Sequence, residues 1–153
     1  MDNKQYLSRE KYDELKTELE HLKMIERKEV AETLEFAKSL GDLSENAEYH
    51  EARDKQADIE DRIATIEEML KSAEIVSEHH GSKVQVGSKV VVKKEGGESS
   101  EYMIVGSEDA DMASGKISHQ SPIGEALLGS SKGDKVTVST PRGLVNYSVL
   151  EVK

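Results

Sequence analysis

The residues best suited to chemistry lie together in one short segment, Gly41-Asp42-Leu43-Ser44-Glu45-Asn46-Ala47-Glu48-Tyr49. Carboxylates are hard oxygen ligands suited to Mg²⁺, an ion that takes one or two protein carboxylates and keeps several waters. Two solvent-exposed acids hold such an ion weakly by themselves. Asp42 and Glu45 would instead complete a site whose other ligands belong to a partner, the arrangement that two-metal phosphodiester hydrolysis requires. The same spacing has a structural account. Asp42 followed by Glu45 three residues on is a capping-box pattern, with Asp accepting from the first helical amides and Glu reaching back. Acids at a helix N-terminus also complement the macrodipole. Spacing alone leaves both roles open.

Elsewhere the motifs of catalysis are missing. The chain has no cysteine, which removes disulfides, thiolate nucleophiles and cysteine-ligated zinc, and it has no Gly-x-Ser-x-Gly elbow. Gly129 to Asp134 (GSSKGD) lacks the Gly-Lys-Ser/Thr ending of a phosphate loop and follows a helical stretch, so it reads as a turn. His79 and His80 are adjacent in a polar stretch without a partner at metal-ligand spacing, and His21, His50 and His119 are isolated.

The acidic segment needs elements to position it. From Ser8 to about Ala73 there is no proline and one glycine, Gly41, in a background dense in Glu, Lys, Leu and Ala. That pattern predicts two long helices joined at Gly41, with Ser8 as the first N-cap. Tyr12, Leu15, Leu19 and Leu22 recur at alternating steps of three and four. The register slips near Glu26 and resumes through Val30, Leu34 and Ala37, which predicts a stutter or local change of supercoil. In the second arm Tyr49, Ala52, Gln56, Ile59, Ile63, Ile66, Leu70 and Ala73 keep the seam pattern throughout. So short a connection forces the arms antiparallel, and arms of roughly 30 residues are about 45 Å long. The expected product is a coiled-coil finger with its acidic tip at 41–49. The Leu and Ile seam itself is scaffold.

After Ser77 the pattern changes. Residues 78–83 read as a polar linker, and 84–153 as a small domain. Gly87–Lys94, Tyr102–Val105, Gly115–Ser118, Lys135–Thr140 and Val145–Val152 are short β-branched runs separated by turn residues. Between them Ser121 suits an N-cap and Pro122 the first position of a short helix to Leu128. The expected class is α+β: a helical hairpin over residues 1–77, then an antiparallel sheet with one short helix.

Composition bounds the partners. The 153 residues carry a formal net charge of −10, with 34% charged, 35% hydrophobic and 4% aromatic residues. A broad positive field for free duplex DNA or anionic membrane is therefore disfavoured. Neither the N-terminus MDNKQYLSREKY nor any later run is apolar enough for a signal or a membrane span, so a cytoplasmic location is expected.

The stretch Gly41 to His50, GDLSENAEYH, resembles the tip signature of the Gre transcript-cleavage factors, unbroken across its length. Ser121 to Gly129 (SPIGEALLG) and Gly133-Asp134 are similar to that family's FKBP-like domain, so the resemblance covers nearly the whole chain. It implies a monomeric factor that is not itself a nuclease. The finger would enter the secondary channel of backtracked bacterial RNA polymerase, near the nascent RNA 3′ end, while the second domain docks on the rim. It implies further that Asp42 and Glu45, supported by Leu43 and Ser44, share a Mg²⁺ with the polymerase active centre, no cofactor belonging to the factor alone. The acidic balance favours the GreA type over the more basic GreB type. Lys38, Arg53 and Lys55 are the candidates for a small RNA-facing patch, or are ordinary surface charge. A Gre-like regulator of the same channel without cleavage stimulation is the alternative, and the retained Asp-Leu-Ser-Glu pattern argues against it. A prolyl isomerase would need an aromatic-lined pocket, whereas the one phenylalanine, Phe36, lies in the helical half. A plain coiled-coil adaptor would not need acids at its tip.

Overall fold

A computed structural model describes residues 4–153 and divides them into two compact units. One is Tyr12–Ser72; the other joins the N-terminal residues up to Lys11 with Ala73–Lys153.

The first unit is the helical hairpin. Helix α1 (Arg9–His21) continues through a π-helical turn at Leu22–Glu26 into α2 (Arg27–Ser39), and α3 (Ala47–Lys71) returns. Ser8 caps α1 as expected, its hydroxyl accepting the Lys11 amide at 3.1 Å. The buried residues of the first arm are Leu15, Leu22, Val30, Leu34 and Ala37, and those of the second are Ala52, Ile59, Ile63, Ile66 and Met69. Leu22 to Val30 is one residue longer than a heptad, and the π turn between them absorbs that residue, which is the expected slip near Glu26. Full burial of a side chain such as Ile66, 0% exposed, contributes about 2 kcal/mol. Two bidentate pairs cross between the arms at the surface: Arg27 to Glu60 at 2.8 and 2.8 Å, and Arg62 to Glu18 at 2.9 and 2.9 Å. Lys23 reaches Glu67 at 3.1 Å. From Lys23–Glu67 through Arg27–Glu60 to the Ala37–Asn46 bond near the turn, partner numbers fall as first-arm numbers rise, so the arms are antiparallel.

The second arm stops short of the expected seam. Ala73 leaves the helix and opens β2 (Ala73–Ile75), which pairs in parallel with β1 (Gln5–Leu7). Three-residue strands carry too little alternation to be read beside a long helical pattern. Leu7 is 0% exposed and anchors this pair in the second unit.

The rest of that unit is a five-stranded sheet. It contains β3 (Lys89–Lys94), β4 (Ser99–Val105), β5 (Lys116–Ser118), β6 (Lys135–Thr140) and β7 (Gly143–Val152), in the order β5-β4-β3-β7-β6. Three neighbouring pairs are antiparallel, but β4 and β5 run parallel, so the sheet is not wholly antiparallel as expected. The reason is the connection. Two 3₁₀ turns, Ser107–Asp109 and Met112–Ser114, carry the chain back along β4 instead of folding it into a hairpin. Asp109 of that connection holds both the amide and hydroxyl of Ser8, at 2.9 and 2.6 Å. Helix α4 (Pro122–Leu127) has the expected Ser121 cap, bonded to the Gly124 amide at 3.1 Å, and inserts Leu127 beside Val90, Val92, Ile104 and Val149. The GSSKGD stretch is a turn closed by the Ser131 amide on Asp134 Oδ2 at 2.8 Å. Residues 78–83 are tied to this unit, through the His79 amide on Gly87 O at 2.9 Å and a bridge between Lys83 and Ser131. Among the described residues no helix is long and apolar enough to cross a membrane.

Candidate functional site

The acidic segment occupies the connection between α2 and α3. Helix α2 ends at Ser39, and Gly41 turns the chain with φ 126°, a conformation that a side chain would strain. Asp42 follows in an Asx turn: its Oδ1 accepts the Ser44 amide at 3.0 Å and the Ser44 hydroxyl at 2.9 Å. These bonds, the backbone one first, hold the Asp42 carboxyl below its ordinary range, so it stays ionised. Asp42, Leu43, Ser44 and Glu45 are all exposed.

The structure corrects the capping-box reading. The N-cap of α3 is Asn46, whose side chain accepts the Tyr49 amide at 3.0 Å; Asp42 spends its oxygen on Ser44, and the helix starts only at Ala47. Glu45 therefore precedes the cap and does not occupy the third helical position that a capping box needs. Both acids are released from the helix start. An Asn directly before Ala47-Glu48 is itself a strong capping signal, and the Asp-x-x-Glu spacing obscured it.

Around the loop, Asn46 Nδ2 donates to Ala37 O at 2.6 Å, and His50 Nε2 lies 3.3 Å from Ser44 O. Arg53 sits against Tyr49, with Nη1 3.4 Å from the hydroxyl and the guanidinium carbon 5.9 Å from the ring centre. Lys38 is exposed on α2, and Lys55 lines a groove between the arms with Glu29, Phe36, Glu48 and Glu51. The three basic residues are thus dispersed among acids and aromatics. Phe36 is 63% exposed and encloses no aromatic pocket. Among the described residues no group of three or more His, Asp or Glu converges on a metal position.

A helical hairpin with exposed acids in its loop, joined to a small sheet domain, is the architecture on which the relatives of this chain bear. The model for the N-terminal domain of transcription elongation factors matches residues 5–75, and that for the GreA/GreB C-terminal domain matches residues 78–153. The chain belongs to the GreA/GreB family of transcription elongation factors. Among its relatives, transcription elongation factor GreA of Clostridioides difficile (strain 630) is 47% identical over 156 residues, covering 99% of this chain and 98% of the relative. GreA of Clostridium botulinum (strain Langeland) is 50% identical over 141 residues, covering 90% and 88%. Among solved structures, GreA factor homolog 1 (Gfh1) of Thermus thermophilus is 28% identical over 99% of each chain, with a TM-score of 0.45.

Proposed function

We propose that this elongation factor acts on bacterial RNA polymerase by lending it the carboxylates of Asp42 and Glu45. The α2–α3 loop would enter the secondary channel of a backtracked complex and stand near the 3′ end of the nascent RNA. The observation that supports this most is that both acids lie exposed in the loop with neither bonded to a helix amide, and Asp42 is held ionised by Ser44.

Hard, charged oxygens fit Mg²⁺, and two of them leave most of its coordination sphere to another molecule. When bound between factor and polymerase, the ion would polarise the water that cleaves the RNA. The factor's own residues have simpler tasks. Asp42 and Glu45 supply negative charge at fixed positions, Ser44 keeps Asp42 deprotonated and oriented, and Leu43, 41% exposed, offers an apolar contact to the channel wall. By this reading the chain is a stimulator of the polymerase's own activity and not a nuclease. The sheet unit would supply the docking surface on the channel rim.

The test is to add the protein to stalled, backtracked elongation complexes with Mg²⁺ and follow RNA length. Shortened RNA that again extends supports the proposal. Cleavage of free RNA without polymerase overturns the stimulator reading, and binding without shortening would leave a channel regulator instead.

A further inference from the structure

We infer that Asn46 is a positioning residue for the two acids, fixing the loop that carries them by joining the ends of both helices through one side-chain amide; the inference rests on the reading of Asp42 and Glu45 given above. The last carbonyls of α2 and the first amides of α3 face the same short connection, where the regular four-residue helical bonding runs out. Asn46 meets one of each. Its Oδ1 accepts the Tyr49 amide at 3.0 Å, and its Nδ2 donates to Ala37 O at 2.6 Å. A carbonyl needs a donor and an amide N–H needs an acceptor, so only one orientation of the side chain serves both. The backbone of Asn46 is held as well, since its own carbonyl accepts His50 N–H at 3.1 Å.

The consequence for the site follows from chain order. Asp42 and Glu45 lie between Ala37 and Asn46, so the 2.6 Å bond closes the loop that bears them. Asn46 is half-buried and Ala37 is 1% exposed, while the acids are open to solvent. A partly buried clasp therefore sets the span of an exposed loop whose own bonds are few. The donor is not needed to satisfy Ala37 O, which already accepts the Leu40 amide at 3.2 Å. Losing it orphans no buried acceptor, so what is lost is geometry and little stability.

Two variants separate the cap from the clasp. Ser and Asp cap helices about as well as Asn, but Asn46→Ser and Asn46→Asp both lack the Nδ2 donor. Each full-length variant is compared with wild type, Asp42→Asn and Glu45→Gln on backtracked RNA polymerase complexes. The readouts are maximal cleavage rate, half-saturating factor concentration and far-ultraviolet circular dichroism. A misplacement of the order of 1 Å in reacting groups costs up to about 100-fold in rate. Both variants are expected to keep wild-type helicity and half-saturation while the maximal rate falls 10- to 100-fold. A wild-type maximal rate in Asn46→Ser overturns the inference, because that variant removes the donor without adding charge. So does a change confined to half-saturation, which would make Asn46 a docking residue. If Asp42→Asn and Glu45→Gln cleave like wild type, the reading of the acids fails on its own account. If those two lose cleavage and Asn46→Ser does not, only the clasp is wrong.

Discussion

Deleting Met24 should leave the helical hairpin intact, whereas deleting Ala31, a few residues later, should damage it. Met24 lies in the π turn at Leu22–Glu26 and is 70% exposed. The turn holds one residue more than α-helical geometry needs, so its removal converts the segment to plain α-helix and leaves every later residue on its present face. Ala31 is exposed in regular helix. Its removal rotates everything after it by about 100°. Glu35 and Lys38 then take the seam positions of Leu34 and Ala37, which are 8% and 1% exposed. Re-exposing a leucine and an alanine methyl costs about 3 kcal/mol, and turning two charges toward the seam adds to it. Spread over a unit of this size, about 3 kcal/mol lowers the unfolding midpoint by roughly 10 to 20 °C. Thermal and urea unfolding followed by circular dichroism measure both variants. Equal loss in the two deletions, or none in the Ala31 deletion, would refute the reasoning that the π turn is an absorbed insertion.

Gly106→Ala should loosen the β1–β2 pair, because an added Cβ would stand 1.8 Å from Tyr6 O. We expect a loss of about 1 to 3 kcal/mol and faster hydrogen exchange of the Val76 amide, which now bonds Leu7 O at 2.8 Å. The Asp42 carboxyl should titrate below an ordinary aspartate, so its turn persists above the unfolded pKa and is lost only as pH falls through the lower folded value. Carboxyl-carbon NMR checks this. In Ser44→Ala the titration should move upward and still stay below the ordinary range, since the backbone amide is the larger cause and remains.

The long elements were legible in the chain because apolar spacing reports burial directly. Leu15, Leu22, Val30, Ile59, Ile63 and Ile66 all fall on the buried stripe, and even the π turn left its mark as an eight-residue step from Leu22 to Val30. At the end of the second arm the pattern misled by one step: Met69 is buried and Leu70 only partly so. Short elements were not legible. The β1–β2 pair joins residues far apart in sequence through three-residue strands, and the parallel β4–β5 pair follows from the path of the 106–115 connection, which apolar spacing does not report. In the loop, the residue types single out Asp42 and Glu45 as the chemical candidates, and both lie exposed there. Their hydrogen-bond roles depended on a choice between Asp42 and Asn46 as helix cap, which spacing rules leave nearly degenerate and which the Asp42–Ser44 turn decides.

The most direct measurement is stimulated RNA cleavage by Asp42→Asn and Glu45→Gln, made singly, on backtracked complexes with polymerase binding followed in parallel. An amide oxygen at position 42 can still accept from Ser44, and the cap at Asn46 is untouched, so fold and binding should change little. The lost negative charge should lower cleavage by about 100-fold or more in each variant, if the acids hold and polarise as proposed. Wild-type cleavage by both variants, or loss of binding in step with cleavage, would contradict the account.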